Sequence, residues 1–434
     1  MRKFILLSVF VIGCAASSFC QKTKYYLIFE ENGKRGICDT LGNTLLQPEF
    51  SNIEIITKRD LIVAEKNEKT GIFDADFKQI VPFNYDYIDA HSGTYNENFL
   101  NNIPYRINNK YGLLDYTKNK TIIPPLYDDI HAIRPFSSNL FGFKQDGKYG
   151  VMNQKGKILI KPVFDDVGDC FSNNLLKVEK DDKWGFVDEK GKFVINPTFS
   201  FVSDFGNGKA MFCNSKTPYS SGSECGIIDE KGDIKVKPIY DYIWINDAGK
   251  NIYIIKQEDK YGLINDKMEL ILEPVYDDIS NEYGQDANVF TVKKGDKYGF
   301  IDQNGKLFID LKYDVAEDFT DGIAPVSLNG KWGLINLKDE TIVDFKYIGW
   351  VEPFENGIAK YHKCTSQFGY RCSPEGYIDR QGNIFIEPIY EYIEYLFGNK
   401  ATAVFNGSKY LIDIKTHEKI KRLGEDDRIY MYYP

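Results

Sequence analysis

Residues 181–205 read DDKWGFVDEKGKFVINPTFSFVSDF. Within 25 positions stand an aromatic-glycine pair, a short apolar run, a glycine turn, a second apolar run, a proline and an aromatic. Nearly the same order recurs along the chain. Aligned on the glycine after the aromatic, the pairs are Arg35-Gly36, Thr70-Gly71, Tyr111-Gly112, Tyr149-Gly150 and Trp184-Gly185. They continue as Cys225-Gly226, Tyr261-Gly262, Tyr298-Gly299, Trp332-Gly333 and Glu375-Gly376. A worn unit follows at 408–420, where Leu411 stands in place of the glycine. That makes ten clear units and one degenerate unit, filling the chain from residue 21 to 434.

Apolar runs of about five residues bounded by glycine turns read as short antiparallel strands. Three runs per unit predict a three-stranded meander. The turn glycine tolerates the positive φ of a hairpin. Pro162, Pro197, Pro238, Pro274 and Pro388 lack an N–H, so they end a strand or lie on an edge. The glycine of each pair has no side chain, so an aromatic of the neighbouring repeat is expected to pack against its backbone. One meander cannot bury its own face, whereas stacked neighbours can. The fold class is therefore all-β, about eleven repeated units. The expected arrangement is an open, curved, solenoid-like stack, with the worn terminal units as caps. A closed β-propeller ring is the alternative. A four-stranded blade commonly takes about 40–50 residues, and eleven is many for one ring. The periodic aromatics Tyr111, Tyr149, Trp184, Tyr261, Tyr298 and Trp332, with Gly112, Gly150, Gly185, Gly262, Gly299 and Gly333, form the expected repeat core.

The units KYGVMNQKGKILIKP (148–162), KWGFVDEKGKFVINP (183–197) and KWGLINLKDETIV (331–343) resemble WG repeats. The resemblance covers about residues 23–423. Most units carry Tyr for Trp, and units one, two, six and ten lack the aromatic. The resemblance implies a repeat protein outside the cytoplasm or at the cell surface, with no established catalytic residues.

Residues 1–20 have the form of a signal peptide: Arg2 and Lys3, an apolar Phe4–Ile12 and a small-residue segment. Cleavage after Cys20 is one reading. The other takes VIGC (11–14) as a lipobox with Cys14 as the lipid anchor. No later stretch is apolar and long enough to span a bilayer. The expected location is extracytoplasmic: periplasm, outer-membrane surface or secreted. Net charge is −9, and the lysines are scattered, which argues against nucleic acid as a partner.

Cys213 with Cys225, and Cys364 with Cys372, flank insertions at the same place in units six and ten. Residues flanking a hairpin loop come within disulfide reach, and an exported chain meets an oxidising compartment. Two disulfides are predicted, Cys213–Cys225 and Cys364–Cys372. Cys38 and Cys170 are left over, read as buried thiols, with a mutual bond as the alternative.

There are four histidines, none at HExxH spacing or beside a glycine-flanked serine. The chain has no P-loop, and the GSECG at 222–226 has its serine one place early. Neither a catalytic residue nor a cofactor or metal site is assigned. Asp128-Asp129, Asp165-Asp166 and Asp277-Asp278 read as turn caps, and DQNGK (302–306) as a hairpin turn. Tyr219, Phe368 and Tyr370 lie in the two insertions, off the repeat pattern, and are the candidate binding residues. The expected function is a non-catalytic scaffold that binds an envelope or extracellular protein or glycan. A structural spacer and a hydrolase using dispersed carboxylates are the alternatives.

Overall fold

The computed structural model describes residues 24–432 apart from 40, 57–58, 92–100, 135–138, 216–221, 245–251, 281–287, 364–373 and 424–429. Among the described residues, 44 strands form eleven four-stranded antiparallel sheets. Blade five shows the plan. Its strands are β16 (Asp166–Ser172), β17 (Leu175–Lys180), β18 (Lys183–Val187) and β19 (Phe193–Phe199), hydrogen-bonded in that order. The tight turn between β17 and β18 holds Asp181 and Asp182 at φ 54° and 61°, the geometry that matches a hairpin to strand twist. Between β18 and β19, Asp188 Oδ1 accepts the N–H groups of Lys190 (2.9 Å) and Lys192 (2.9 Å).

The Trp-Gly pair sits on the third strand, and its glycine has a cause inside its own blade. Trp184 pairs with Phe199 and Phe186 with Ile195, so β19 bulges where it passes Gly185. A Cβ on Gly185 would lie 2.5 Å from the Ile195 carbonyl oxygen and 2.7 Å from Pro197 N. Gly150 faces Ile160 and Pro162 in the same way. The expected approach of a neighbouring repeat's aromatic is thus replaced by the same unit's last strand. Pro197 lies on that outermost strand, where a bulged edge needs no donor.

The sequence reading missed one strand per unit. It lies in the aromatic-acid patch after the proline. In blade six it is β20 (Phe201–Val202), and in blade nine β32 (Val315–Ala316). One residue, Ser200 or Asp314, separates it from the preceding blade. Two-residue strands and one-residue junctions let about 37 residues complete a four-stranded blade.

The open array is corrected by the ends of the chain. β1 (Lys24–Glu31), β2 (Lys34–Cys38) and β3 (Thr44–Phe50) supply only three strands of blade one. Their fourth is β44 (Tyr430–Tyr432), pairing Lys24 with Tyr432 and Tyr26 with Tyr430. Leu27, Phe29 and Cys38 share a buried cluster with Leu411 and Leu423 of the last unit. The chain therefore forms an eleven-bladed propeller ring. The terminal units are not caps, because a ring has no exposed end to cover; closure also pairs the edge that a first strand would leave open.

The core lies between blades. Val151, Ile160 and Phe164 of blade four pack with Val167, Leu176, Val178 and Val187 of blade five. Polar stitches repeat beside it. The Lys148 ammonium of blade four bonds Asp165 at the junction, and Asp165 Oδ2 accepts the Asp181 N–H of blade five at 2.8 Å. Lys260, Asp277 and the Gly295 N–H repeat the arrangement, as do Lys297, Asp314 and the Gly330 N–H. The first aspartate of each acidic pair is thus a junction fastener. Asp302 takes the N–H groups of Asn304 and Lys306, closing a plain turn.

Candidate functional site

One register position changes character between blades: the residue before the glycine and the residue facing it on the second strand. In four blades it holds a cation over an aromatic ring. Lys144 lies 4.9 Å from the Tyr149 ring centre, Lys293 5.3 Å from Tyr298, Lys256 5.7 Å from Tyr261 and the Arg106 guanidinium 5.9 Å from Tyr111. These rings are half-buried, with ammonium stems covering them. Trp184 is also half-buried, while Trp332 is 5% exposed and packs with Tyr347.

In blade six the position holds Cys213 facing Cys225, and the two are joined by a disulfide, Cα to Cα 4.1 Å. The ends of that insertion are held by the Asn214 N–H donating to the Glu224 carbonyl at 2.9 Å. In blade ten it holds His362 facing Glu375. Here the insertion ends are held by the Lys363 N–H donating to the Pro374 carbonyl at 2.9 Å.

Blade ten builds a row across three strands: β36 (Gly349–Val351), β37 (Ile358–Lys363) and β38 (Glu375–Asp379). Trp350 faces His362, and His362 faces Glu375. The indole and imidazole stack at 4.8 Å with 18° between planes. His362 is 3% exposed. Its Nε2 lies 2.6 Å from Glu352 Oε1 and its Nδ1 3.3 Å from Glu375 Oε1. Burial alone would lower the His362 pKa, but the two carboxylates outweigh it and raise it to about 9. The raised value favours the imidazolium at neutral pH, hydrogen-bonded through Nε2 to Glu352 and ion-paired with Glu375. Burial pushes Glu375 up, yet His362, the Ile393 N–H (3.0 Å) and Lys360 hold it below the usual carboxylate range.

Two neighbouring blades complete the walls. Glu317 of blade nine follows β32, and its Oε1 accepts the Trp350 indole N–H at 2.8 Å. Burial raises the Glu317 pKa, only partly offset by that bond, and Asp318 and Glu352 push it further up. Thr320 Oγ1 accepts the Phe354 N–H at 3.0 Å. Tyr392 opens blade eleven, with the Lys360 ammonium 4.6 Å from its ring centre. Burial, Glu394 and Glu375 push the Tyr392 phenol up to about 12. These residues, with Pro353 and Glu355, line a cleft of about 720 Å³, within the usual range of about 300–1,000 Å³ for small-molecule sites.

None of these side chains was singled out in the sequence as a binding residue. The one available signal was the Glu375-Gly376 pair, which replaces an aromatic by an acid. Of the residues that were singled out, Tyr219, Phe368, Tyr370, Cys364 and Cys372 lie outside the described residues. Cys38 is buried in blade one, and Cys170 is half-buried in blade five, its Sγ 3.0 Å from Ser172 Oγ. Among the described residues, no cluster of three or more His, Cys, Asp or Glu is placed to hold a metal ion, and no helix is long and apolar enough to cross a membrane.

Nine segments match the family described as WG containing repeat: 36–69, 111–149, 149–184, 184–216, 226–261, 261–298, 298–332, 332–361 and 376–410. No curated protein matches the chain in sequence. Among solved structures, the chain is similar to a eukaryotic initiation factor, at 10% identity over 84% of this chain and 95% of the other, TM-score 0.41. It is also similar to apo AztD from Citrobacter koseri, at 12% identity over 94% and 99%, TM-score 0.28. A third likeness is to PorZ, a surface component of the type-IX secretion system of Porphyromonas gingivalis, at 10% identity over 94% and 68%, TM-score 0.24. Likenesses this distant carry no argument here.

Proposed function

The chain belongs to the family of WG containing repeats, and on that premise we propose that it is an exported, non-catalytic scaffold that binds an envelope protein or glycan through the cleft of blade ten. Export is supported by the leader at residues 1–20. The observation that carries the binding reading is the Trp350–His362–Glu375 row. Four blades fill this register position with a cation–aromatic pair. Blade ten instead buries an imidazolium between two carboxylates beside a cleft. Burying charge is costly unless it is fully paired, so a blade needed only to continue the ring gains nothing by it.

The non-catalytic reading is supported by the same geometry. Glu352 and Glu375 face each other across the His362 ring. A hydrolase needs open space for the scissile bond between its two acids, and the imidazole fills that gap.

The test is a cross-linked pull-down from envelope extract with mature protein and a Trp350→Ala variant of matched thermal stability. A partner captured by the parent and lost by the variant is the expected result. Equal capture would remove the cleft from the reading.

A further inference from the structure

Resting on the reading that the blade-ten cleft is a docking site, we propose that it recognises a neutral, hydroxyl-rich sugar. The alternative occupant suggested by four glutamates is a cation, and the charges in the cleft argue against it. Glu352 and Glu375 are already matched by His362. The niche where a foreign ammonium would fit is filled by the chain's own Lys360. Its Nζ is 4.6 Å from the Tyr392 ring centre, 5.9 Å from that of Tyr377 and 3.7 Å from Glu375 Oε2, and its side chain is 14% exposed. Four carboxylates against Lys360 and His362 leave two (4 − 2). One of these, Glu317, already accepts the Trp350 indole N–H at 2.8 Å.

What remains suits a polyol. Trp350 is held twice, by stacking on His362 and by its N–H to Glu317. The indole is therefore fixed before any ligand arrives, which reduces the ordering cost of binding. A ring with an apolar face and a polar tip suits a sugar, whose C–H face is apolar and whose edge carries hydroxyls. Glu317 Oε1 is engaged by the indole, leaving lone pairs on Oε2 for hydroxyl donors. Glu355 adds an exposed carboxylate on the same wall. Pro353 and Tyr392 give the cleft apolar surface.

The experiment applies the mature chain to an array of neutral, cationic and acidic glycans, with hexalysine as a separate cationic probe, and follows each hit by calorimetry at neutral pH. Binding to a neutral glycan is expected, weakened about tenfold or more in Trp350→Ala. Trp350→Phe should retain most of the affinity, and Glu317→Gln should weaken it, because the amide's single oxygen cannot serve both the indole N–H and a sugar hydroxyl. The phenylalanine variant also guards against a folding defect. Glycan binding unchanged in Trp350→Ala would overturn the proposal. So would hexalysine or cationic glycans binding alone; their loss in Trp350→Ala would leave the docking reading standing. Silence from every probe would overturn the sugar class, and the pull-down would then decide the docking reading separately.

Discussion

Blades six and ten carry insertions in the same turn, and at the foot of each the same register position has been rewritten. Blade six places Cys213 against Cys225 and closes the foot covalently. Blade ten places His362 against Glu375 and closes it with charge, recruiting Glu352, Trp350 and Lys360. The pairs share backbone geometry, since in both the glycine that follows faces the residue before on the second strand. The repeat thus has one tolerant position, beside a glycine that the bulged fourth strand does not release. A disulfide there spends the position on fastening. A buried ion row leaves oriented polar atoms and an indole facing a cleft.

The comparison breaks most visibly at His362. Its replacement by Ala leaves Glu352 and the buried Glu375 without their shared counter-ion. The expected loss is about 3–5 kcal/mol in denaturant unfolding, and Glu375→Gln made together with His362→Ala should recover part of it. Opening the covalent foot comes next. Cys213→Ala with Cys225→Ala removes a closure of sequence separation 12 and should cost about 2–3 kcal/mol. If Cys364 and Cys372 are joined as their flanking positions propose, intact mass will rise on reduction by the equivalent of two bonds. A rise for one bond would break the symmetry between the two insertions.

A smaller effect, about 1–3 kcal/mol, is expected for Gly150→Ala, whose Cβ would meet the Ile160 carbonyl at 2.5 Å. The loss should appear equally whether or not the disulfide is intact, because the glycine answers to the bulge alone. The pH dependence separates the two feet further. His362 has its pKa raised, from an ordinary 6.5 to about 9. Its contribution is therefore fully present below pH 6.5 and lost as pH rises through about 9. The unfolding midpoint should fall between about pH 6.5 and 9 in the parent, and this component should vanish in His362→Ala. The smallest effect is expected at an exposed stitch: Lys148→Ala should move the midpoint no further than repeat measurements scatter.

Much of the fold was legible because the repeat is written in turns. The aromatic-glycine pairs and the glycine turns mark the second to fourth strands of each blade, and their count yields eleven units. The first strand was hidden because it can be as short as Phe201–Val202, too short for any alternation to register. Ring closure was hidden for a different reason. It depends on Tyr430–Tyr432 completing a blade begun some 400 residues earlier, and no local pattern encodes that pairing. The cleft is harder still. Glu317, Glu352, His362, Glu375 and Tyr392 come from three blades, and each looks like an ordinary surface polar residue until the ring brings them together.

Closure of that ring underlies both the blade count and the apposition of blades nine to eleven. It is tested most directly by replacing Tyr25 and Met431, register partners on β1 and β44, with cysteine and oxidising the monomer. A closed ring gives an intramolecular disulfide, read as a peptide joining residues 25 and 431 by mass spectrometry. An open array would hold the two ends many blades apart, and monomer lacking that peptide would contradict the ring.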